Sequence, residues 1–139
     1  MKMDKKKLIA GLNADMNREL EAVMRYMLEA SIMTGFGGHE AREVFEAEVA
    51  DELGHAKLLA DKIVALGGKL EVKPAYPTPI YDAKKALQRE LKMELEAIKN
   101  YKERVKEADE LGEIGLKVKL EELIADETGH AEEIERLLG

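Results

Sequence analysis

Residues 50–56 read Ala50-Asp51-Glu52-Leu53-Gly54-His55-Ala56, and residues 125–131 read Ala125-Asp126-Glu127-Thr128-Gly129-His130-Ala131. Six of the seven positions are identical, at an offset of 75 residues. Each copy holds Glu-x-x-His. On a helix, residues three apart share a face about one turn apart, so each pair can present a carboxylate and an imidazole to one metal ion. Two such pairs in one short chain point to a two-metal site.

The repeat extends upstream. Residues 19–26, Glu-Leu-Glu-Ala-Val-Met-Arg-Tyr, match residues 94–101, Glu-Leu-Glu-Ala-Ile-Lys-Asn-Tyr, at the same offset of 75. The chain therefore reads as two helical hairpins of common pattern. Glu19 lies in a stripe with Leu12, Met16, Val23 and Tyr26, and Glu94 in one with Leu87, Leu91, Ile98 and Tyr101. Glu52 and His55 are flanked by Phe45 and Leu59, Glu127 and His130 by Leu120 and Ile134. Four glutamates and two histidines are thus aimed at one core. An unpaired buried carboxylate is strongly unfavourable, whereas two divalent cations would balance four carboxylates. Oxygen ligands with one imidazole per ion suit Fe(II) or Mn(II), and zinc less specifically. Glutamate makes up 22 of 139 residues, so two Glu-x-x-His matches prove little alone. The identical flanks and matching upstream glutamates carry the reading against a salt-bridged bundle with Glu-His pairs on its surface.

The composition agrees with long helices: Ala, Leu, Glu and Lys dominate, and aromatics are 4%. Periodicity predicts helices over about 4–34, 39–66, 83–110 and 113–138, in one domain spanning 1–139. Gly35-Phe36-Gly37-Gly38 is read as the first break and Gly67-Gly68 as the second, with Gly112 and Gly115 loosening the last turn. Pro74, Pro77 and Pro79 all lie in residues 67–81, expected to be an ordered crossover running the length of the bundle. Asp82 reads as an N-cap. The predicted fold class is an all-α antiparallel four-helix bundle.

A net charge of −7 argues against nucleic acid as a partner. Absence of cysteine excludes disulfides and iron–sulfur clusters. The Met-Lys-Met-Asp-Lys-Lys-Lys start has no apolar stretch of signal length, and no run is long enough to span a membrane. A cytoplasmic location is expected.

A Glu from each of two helices with Glu-x-x-His from each of the other two is the ligand set of the ferritin-like di-iron carboxylate proteins. From about Leu8 to Leu138 the chain resembles that superfamily, and within it bacterioferritin and rubrerythrin. The resemblance implies metal ligands Glu19, Glu52, His55, Glu94, Glu127 and His130, with Glu52 and Glu127 bridging two iron ions. It gives Tyr26 and Tyr101 hydrogen bonds to ligand carboxylates. It gives Asp51 and Asp126 contacts to the histidines, crossed as Asp51 to His130 and Asp126 to His55; a contact within each helix is the local alternative. Departures are informative. Where bacterioferritin places its haem-ligating methionine stands Leu53, so no haem is expected. Where rubrerythrin places an extra glutamate stands Ala97, although the paired tyrosines match rubrerythrin. The sequence ends nine residues after His130, leaving no room for the fifth helix of cage-forming ferritins, so a homodimer is expected.

The implied activity is oxidation of Fe(II) by O2 or H2O2 at the dinuclear site. Alternatives are peroxide reduction with an external electron donor, a storage-shell subunit, or a purely structural bundle. Two smaller expectations concern neighbours of the site. Glu48 is four before Glu52, but its repeat partner is Leu123, so it is placed outside the ligand set. Gly54 and Gly129, mid-helix in both copies, raise the prospect of close helix approach. His39 reads as a solvated residue at a helix start.

Overall fold

In the computed structural model, which describes residues 4–139, helix α1 (Lys5–Ile32) begins where the Asp4 side chain accepts a hydrogen bond from Lys7 N at 2.7 Å. Met1, Lys2 and Met3 of the basic start lie outside the described residues. Helices α2 (Gly35–Ala65), α3 (Ala83–Glu110) and α4 (Ile114–Leu138) complete an all-α four-helix bundle. Asp82 caps α3 in the same way, accepting from Lys85 N at 2.9 Å. Among the described residues no helix is long and apolar enough to cross a membrane.

The glycine run of the first turn departs from its reading as a breaker. Only Met33 and Thr34 interrupt the helices, and α2 starts at Gly35 rather than near His39. Gly35 alone takes the left-handed conformation that turns the chain, with φ +79°; Gly37 and Gly38 are helical. Gly115 likewise belongs to α4, so the last turn is only Leu111–Glu113. Gly67 behaves as expected: at φ +86° it ends α2, with Gly67 N bonded to Val64 O and Gly68 N to Ile63 O, both at 2.9 Å.

The hairpins α1–α2 and α3–α4 meet mainly through α1 against α3 and α2 against α4. The 66–82 connection is stitched to α1 by a ladder one turn apart. Asn13 Nδ2 donates to Lys69 O at 3.0 Å and Asn13 Oδ1 accepts from Glu71 N at 2.8 Å. Asn17 does the same with Glu71 O and Lys73 N, each at 2.7 Å, and Glu21 accepts from Ala75 N at 3.1 Å. The strap therefore runs alongside α1 in the same direction. It delivers α3 antiparallel to α1.

Two apolar clusters lie along the bundle. One gathers Leu8, Leu12, Met16, Leu59, Ile63 and Leu120; the other gathers Tyr26, Ala30, Phe45, Leu87 and Ile134. In the second half of α1 the buried face runs through Glu19, Ala22, Tyr26 and Ala30, whereas Met27 lies outside it and is 48% exposed. The polar layer between the clusters is the site.

Candidate metal centre

Glu19, Glu52, Glu94 and Glu127 are each at most 3% exposed, and His55 is 6% exposed. All four helices contribute: Glu19 from α1, Glu52 and His55 from α2, Glu94 from α3, Glu127 and His130 from α4. The helical periods that bury the apolar clusters also bury these groups, since each lies three or four residues from a core side chain.

The ligand-type atoms fall into two overlapping sets. Glu19, Glu52, His55 and Glu127 present donor atoms all within 4.8 Å of one another; so do Glu48, Glu52, Glu94 and His130. Glu127 Oε1 lies 3.5 Å from His55 Nδ1 and 3.0 Å from His130 Nδ1. Glu52 Oε1 lies 3.8 and 3.2 Å from the same two atoms. These two carboxylates stand between the halves, while Glu19 is 3.6 Å from His55 Nδ1 and Glu94 is 3.8 Å from His130 Nδ1. The imidazoles stack with centroids 6.2 Å apart.

Hydrogen bonds outside this layer cross between the hairpins. His55 Nε2 meets Asp126 at 3.0 Å and His130 Nε2 meets Asp51 at 3.3 Å. Each aspartate thus holds the outer ring nitrogen and leaves Nδ1 facing inward. Tyr26 donates to Glu94 Oε1 at 2.5 Å, and Tyr101 donates to Glu19 Oε1. One oxygen of each outer glutamate is fixed and the other is directed at the centre.

Buried and without a hydrogen-bond partner are Glu19 Oε2, Glu52 Oε1, Glu94 Oε2, Glu127 Oε1, Glu48 Oε2 and both histidine Nδ1 atoms. Buried polar atoms are nearly always partnered, so seven such atoms converging on one layer form a cation-shaped deficit. The protonation pattern agrees. Burial, together with Glu19 and Glu127 nearby, raises Glu52 far above the usual carboxylate range, and burial pushes Glu127 up to about 8. Burial would also raise Glu19, yet the closeness of Glu52 and His55, with the Tyr101 hydroxyl on its other oxygen, leaves it lowered. Burial would lower His55, but Glu19, Glu127 and Asp126 hold it at about 9. His130 is raised, the pull of Glu127, Glu48, Glu52 and Glu94 outweighing its burial. Protons thus do the balancing that divalent cations can do.

A cavity of about 50 Å³ between α1 and α3 reaches the carboxylates. It is lined by Glu19, Glu52, Glu94 and Glu127, with Ala22 and its repeat counterpart Ala97 at the sides. The small residues leave this face of the site accessible.

Other placements differ from the sequence reading. Glu48, set outside the ligand group there, is 5% exposed and its Oε2 lies 2.6 Å from His130 Nδ1. Its signal was the spacing from Phe45 and Glu52, which puts it in the buried stripe of α2. Carbon atoms added as Cβ at Gly54 or Gly129 would meet nothing within 4 Å, so neither glycine marks a close approach of helices. His39 is exposed and pairs with Glu43 at 3.4 Å, within α2 rather than at its start. Two buried ion clusters, Asp15 with Arg104 and Glu90 with Arg25, are not anticipated from the sequence; the offset of 75 that relates Asp15 to Glu90 is the available signal, although their arginines do not correspond.

The arrangement has relatives. A family model described as a ferritin-like domain matches residues 9–139. A bacterioferritin of Brucella melitensis is 32% identical over 133 residues, 95% of this chain and 83% of that protein. A bacterioferritin of Rhodobacter capsulatus is 31% identical over 93% of this chain and 81% of its own. Among solved structures, a ferritin-like, diiron-carboxylate protein from Bacillus anthracis superposes with a TM-score of 0.94 at 40% identity, covering 100% of both chains. The Rhodobacter capsulatus bacterioferritin structure gives a TM-score of 0.88 at 29% identity over 99% of this chain and 86% of that one. With four helices, two paired Glu-x-x-His units and a match over all but the first eight residues, the chain belongs to the ferritin-like family.

Proposed function

We propose that the protein binds two iron ions in the central layer and promotes oxidation of Fe(II). Glu19, Glu52, His55 and Glu127 hold one position; Glu52, Glu94, Glu127 and His130 hold the other. The observation that carries this reading is the convergence of buried, unpartnered oxygen and Nδ1 atoms from all four helices. Iron supplies the redox chemistry, one electron per Fe(II) to O2 or H2O2. The chain's own residues do the rest. Tyr26 and Tyr101 orient the outer glutamates, Asp51 and Asp126 set the histidine tautomers, and Ala22 and Ala97 leave an approach for a small oxidant.

The similarity to bacterioferritins supports iron oxidation and iron handling as the class of function. The Bacillus anthracis relative is itself described as a diiron-carboxylate protein. A rubrerythrin-like peroxide reductase remains the second reading. Ala97, on the cavity wall, favours the first, because a glutamate there would add a ligand to the centre. Haem is not part of the proposal. The Rhodobacter capsulatus structure is described with a haem iron, but Leu53, 53% exposed on the outside of α2, offers no sulfur ligand at the matching position.

The test is an anaerobic Fe(II) titration of the full chain, followed by addition of O2 or H2O2. Two irons per chain and oxidation within the mixing experiment are expected. Saturation far from two sinks the site. Faster oxidation by peroxide than by oxygen favours the reductase reading, and a Soret band in protein from haem-supplied cells overturns the haem-free one. Mass in solution separates a homodimer from a storage shell.

A further inference from the structure

We propose that Glu48 is a seventh protein ligand which makes the His130 position of the centre the tighter-binding one, filled before the His55 position; this rests on the two-metal reading above. The two halves of the layer match residue for residue except here. The counterpart of Glu48 one repeat later is Leu123, which is 3% exposed and packs into the apolar cluster with Leu120 and Leu116. Glu48 stands one turn before Glu52 on the buried stripe of α2 and is 5% exposed. Its Oε2 is 2.6 Å from His130 Nδ1, whereas the nearest carboxylate oxygen to His55 Nδ1 is 3.5 Å away. Glu48 Oε2 is buried and makes no aligned hydrogen bond, its approach to His130 Nδ1 being a charge contact. It belongs to the donor set with Glu52, Glu94 and His130.

A purely structural role for Glu48, as counter-ion to a protonated His130, would cease when a cation takes the imidazole Nδ1. The carboxylate would then face the cation in place of the proton. Affinity of oxygen-rich sites for divalent cations rises with the number of ligand charges. The His130 position has Glu48 and Glu94 beside the shared Glu52 and Glu127; the His55 position has only Glu19 beside them. One extra full charge at ligand distance is a large asymmetry between otherwise matched positions. Access favours the same side. Glu48 also lines a groove between α2 and α4 of about 320 Å³, with Glu40, Glu43 and Glu133 on its walls. Of the ligands proposed for the centre, only Glu48 lines this groove, beneath the exposed Glu40, Glu43 and Glu133.

Co(II) tests this, since it binds such ligands without being oxidised in the experiment. The full chain, stripped of metal by a chelator, is titrated with Co(II) and followed by calorimetry and visible absorption. Parent protein is expected to bind two ions in distinct steps. Glu48→Leu, which copies Leu123, should weaken the tighter step by about 10–100-fold and bring the two together. Glu48→Gln, which keeps the size and removes the charge, should do the same and guards against a failure of the leucine variant to fold. Crystals given one equivalent of Co(II) should show anomalous density beside His130. Two equal steps in the parent, unchanged by either variant, or first density beside His55, would overturn the assignment while leaving the two-metal centre intact. Absence of Co(II) from the layer would overturn the centre itself.

Discussion

Asp15 and Glu90 are separated by 75 residues, as are Glu29 and Arg104, so the two ends of the bundle place corresponding positions in corresponding clusters. Their chemistry has diverged. At one end Arg104 bonds Asp15 at 2.9 Å and Glu107 at 2.6 Å, with Arg18 on Asp15 at 2.9 Å. At the other, the arginine's counterpart is an acid. Glu29, fully buried, faces Glu90, while Arg25 bonds Glu90 at 2.9 Å and Arg89 lies 3.4 Å from Glu29. In between, Glu19, Glu52 and His55 match Glu94, Glu127 and His130, and their tyrosine and aspartate partners match as well; Glu48 against Leu123 is the one departure. A layer that must present a fixed donor set tolerates little change. The layers above and below it need only be electrically satisfied, and two opposite arrangements achieve that.

The largest expected effect comes from removing the cation that bridges two acids. Arg104→Met leaves Asp15 buried with the half-exposed Arg18 as its remaining partner and leaves Glu107 without one. Breaking a buried pair on one side costs about 3–5 kcal/mol, read as a lower midpoint in urea. Gly11 makes room for this guanidinium, since a Cβ there would lie 2.5 Å from Arg104 Cζ, so Gly11→Ala should reproduce part of the loss. Arg25→Met should cost less, about 1–3 kcal/mol, because a protonated Glu29 can donate to Glu90 and Arg89 stands nearby. Equal losses from Arg104→Met and Arg25→Met would show that the acid pair offers no such reserve.

The acid pair has its own pH signature. Burial, with Glu90 adding repulsion and Arg89 opposing, pushes Glu29 up to about 9. The folded state holds this proton more tightly than the unfolded chain. Its contribution to stability is therefore complete below about 4.5 and is lost as pH rises to about 9. Glu29→Gln cannot titrate and should remove that alkaline decline, on the order of 1–3 kcal/mol. Asp15, raised by burial only to about 6 because Arg104 and Arg18 oppose it, should lose its contribution lower, between about 4 and 6. Unfolding midpoints of parent, Glu29→Gln and Asp15→Asn across pH separate the two windows; identical profiles would dissolve the contrast between the ends.

What the sequence disclosed follows the same division. Helix number, the crossover and the convergence of Glu19, Glu52, His55, Glu94, Glu127 and His130 on one layer were legible because each depends on spacing within a helix. Repetition reinforced that spacing. Repetition also draws attention away from Glu48, whose counterpart is Leu123, although its own place in the α2 stripe buries it. By residue type the glycines at 35–38 suggest a longer break, but a single left-handed residue suffices for the turn and the rest can stay helical. Asn13 and Asn17 gave no signal at all. Their value lies in bonds to a strap more than fifty residues away, and no local pattern encodes that partner. Replacing Asn13 by Ala removes two of those bonds, about 1–2 kcal/mol in sum. The effect should be seen mainly as faster amide exchange at Glu71, with little change in global unfolding. Loss of protection throughout the bundle would instead make the strap part of the cooperative core.

The smallest expected effects return to the repeated heptapeptide. Gly54 and Gly129 are exposed, mid-helical and open to a Cβ on all sides. Ala at either should stabilise the chain by about 0.5–1 kcal/mol through helix propensity alone. Within one chain the two substitutions are equivalent, so thermal midpoints should rise equally at concentrations low enough to keep the chain monomeric. The surroundings differ beyond the single chain: Gly54 follows Leu53, 53% exposed, whereas Gly129 follows the exposed Thr128. A second copy docking on the outer face of α2 would cover the first glycine and spare the second. Gly54→Ala would then lose its gain as concentration rises while Gly129→Ala keeps it. A difference between the two that grows with concentration assigns the subunit interface to α2; equal gains at every concentration remove that face from the assembly.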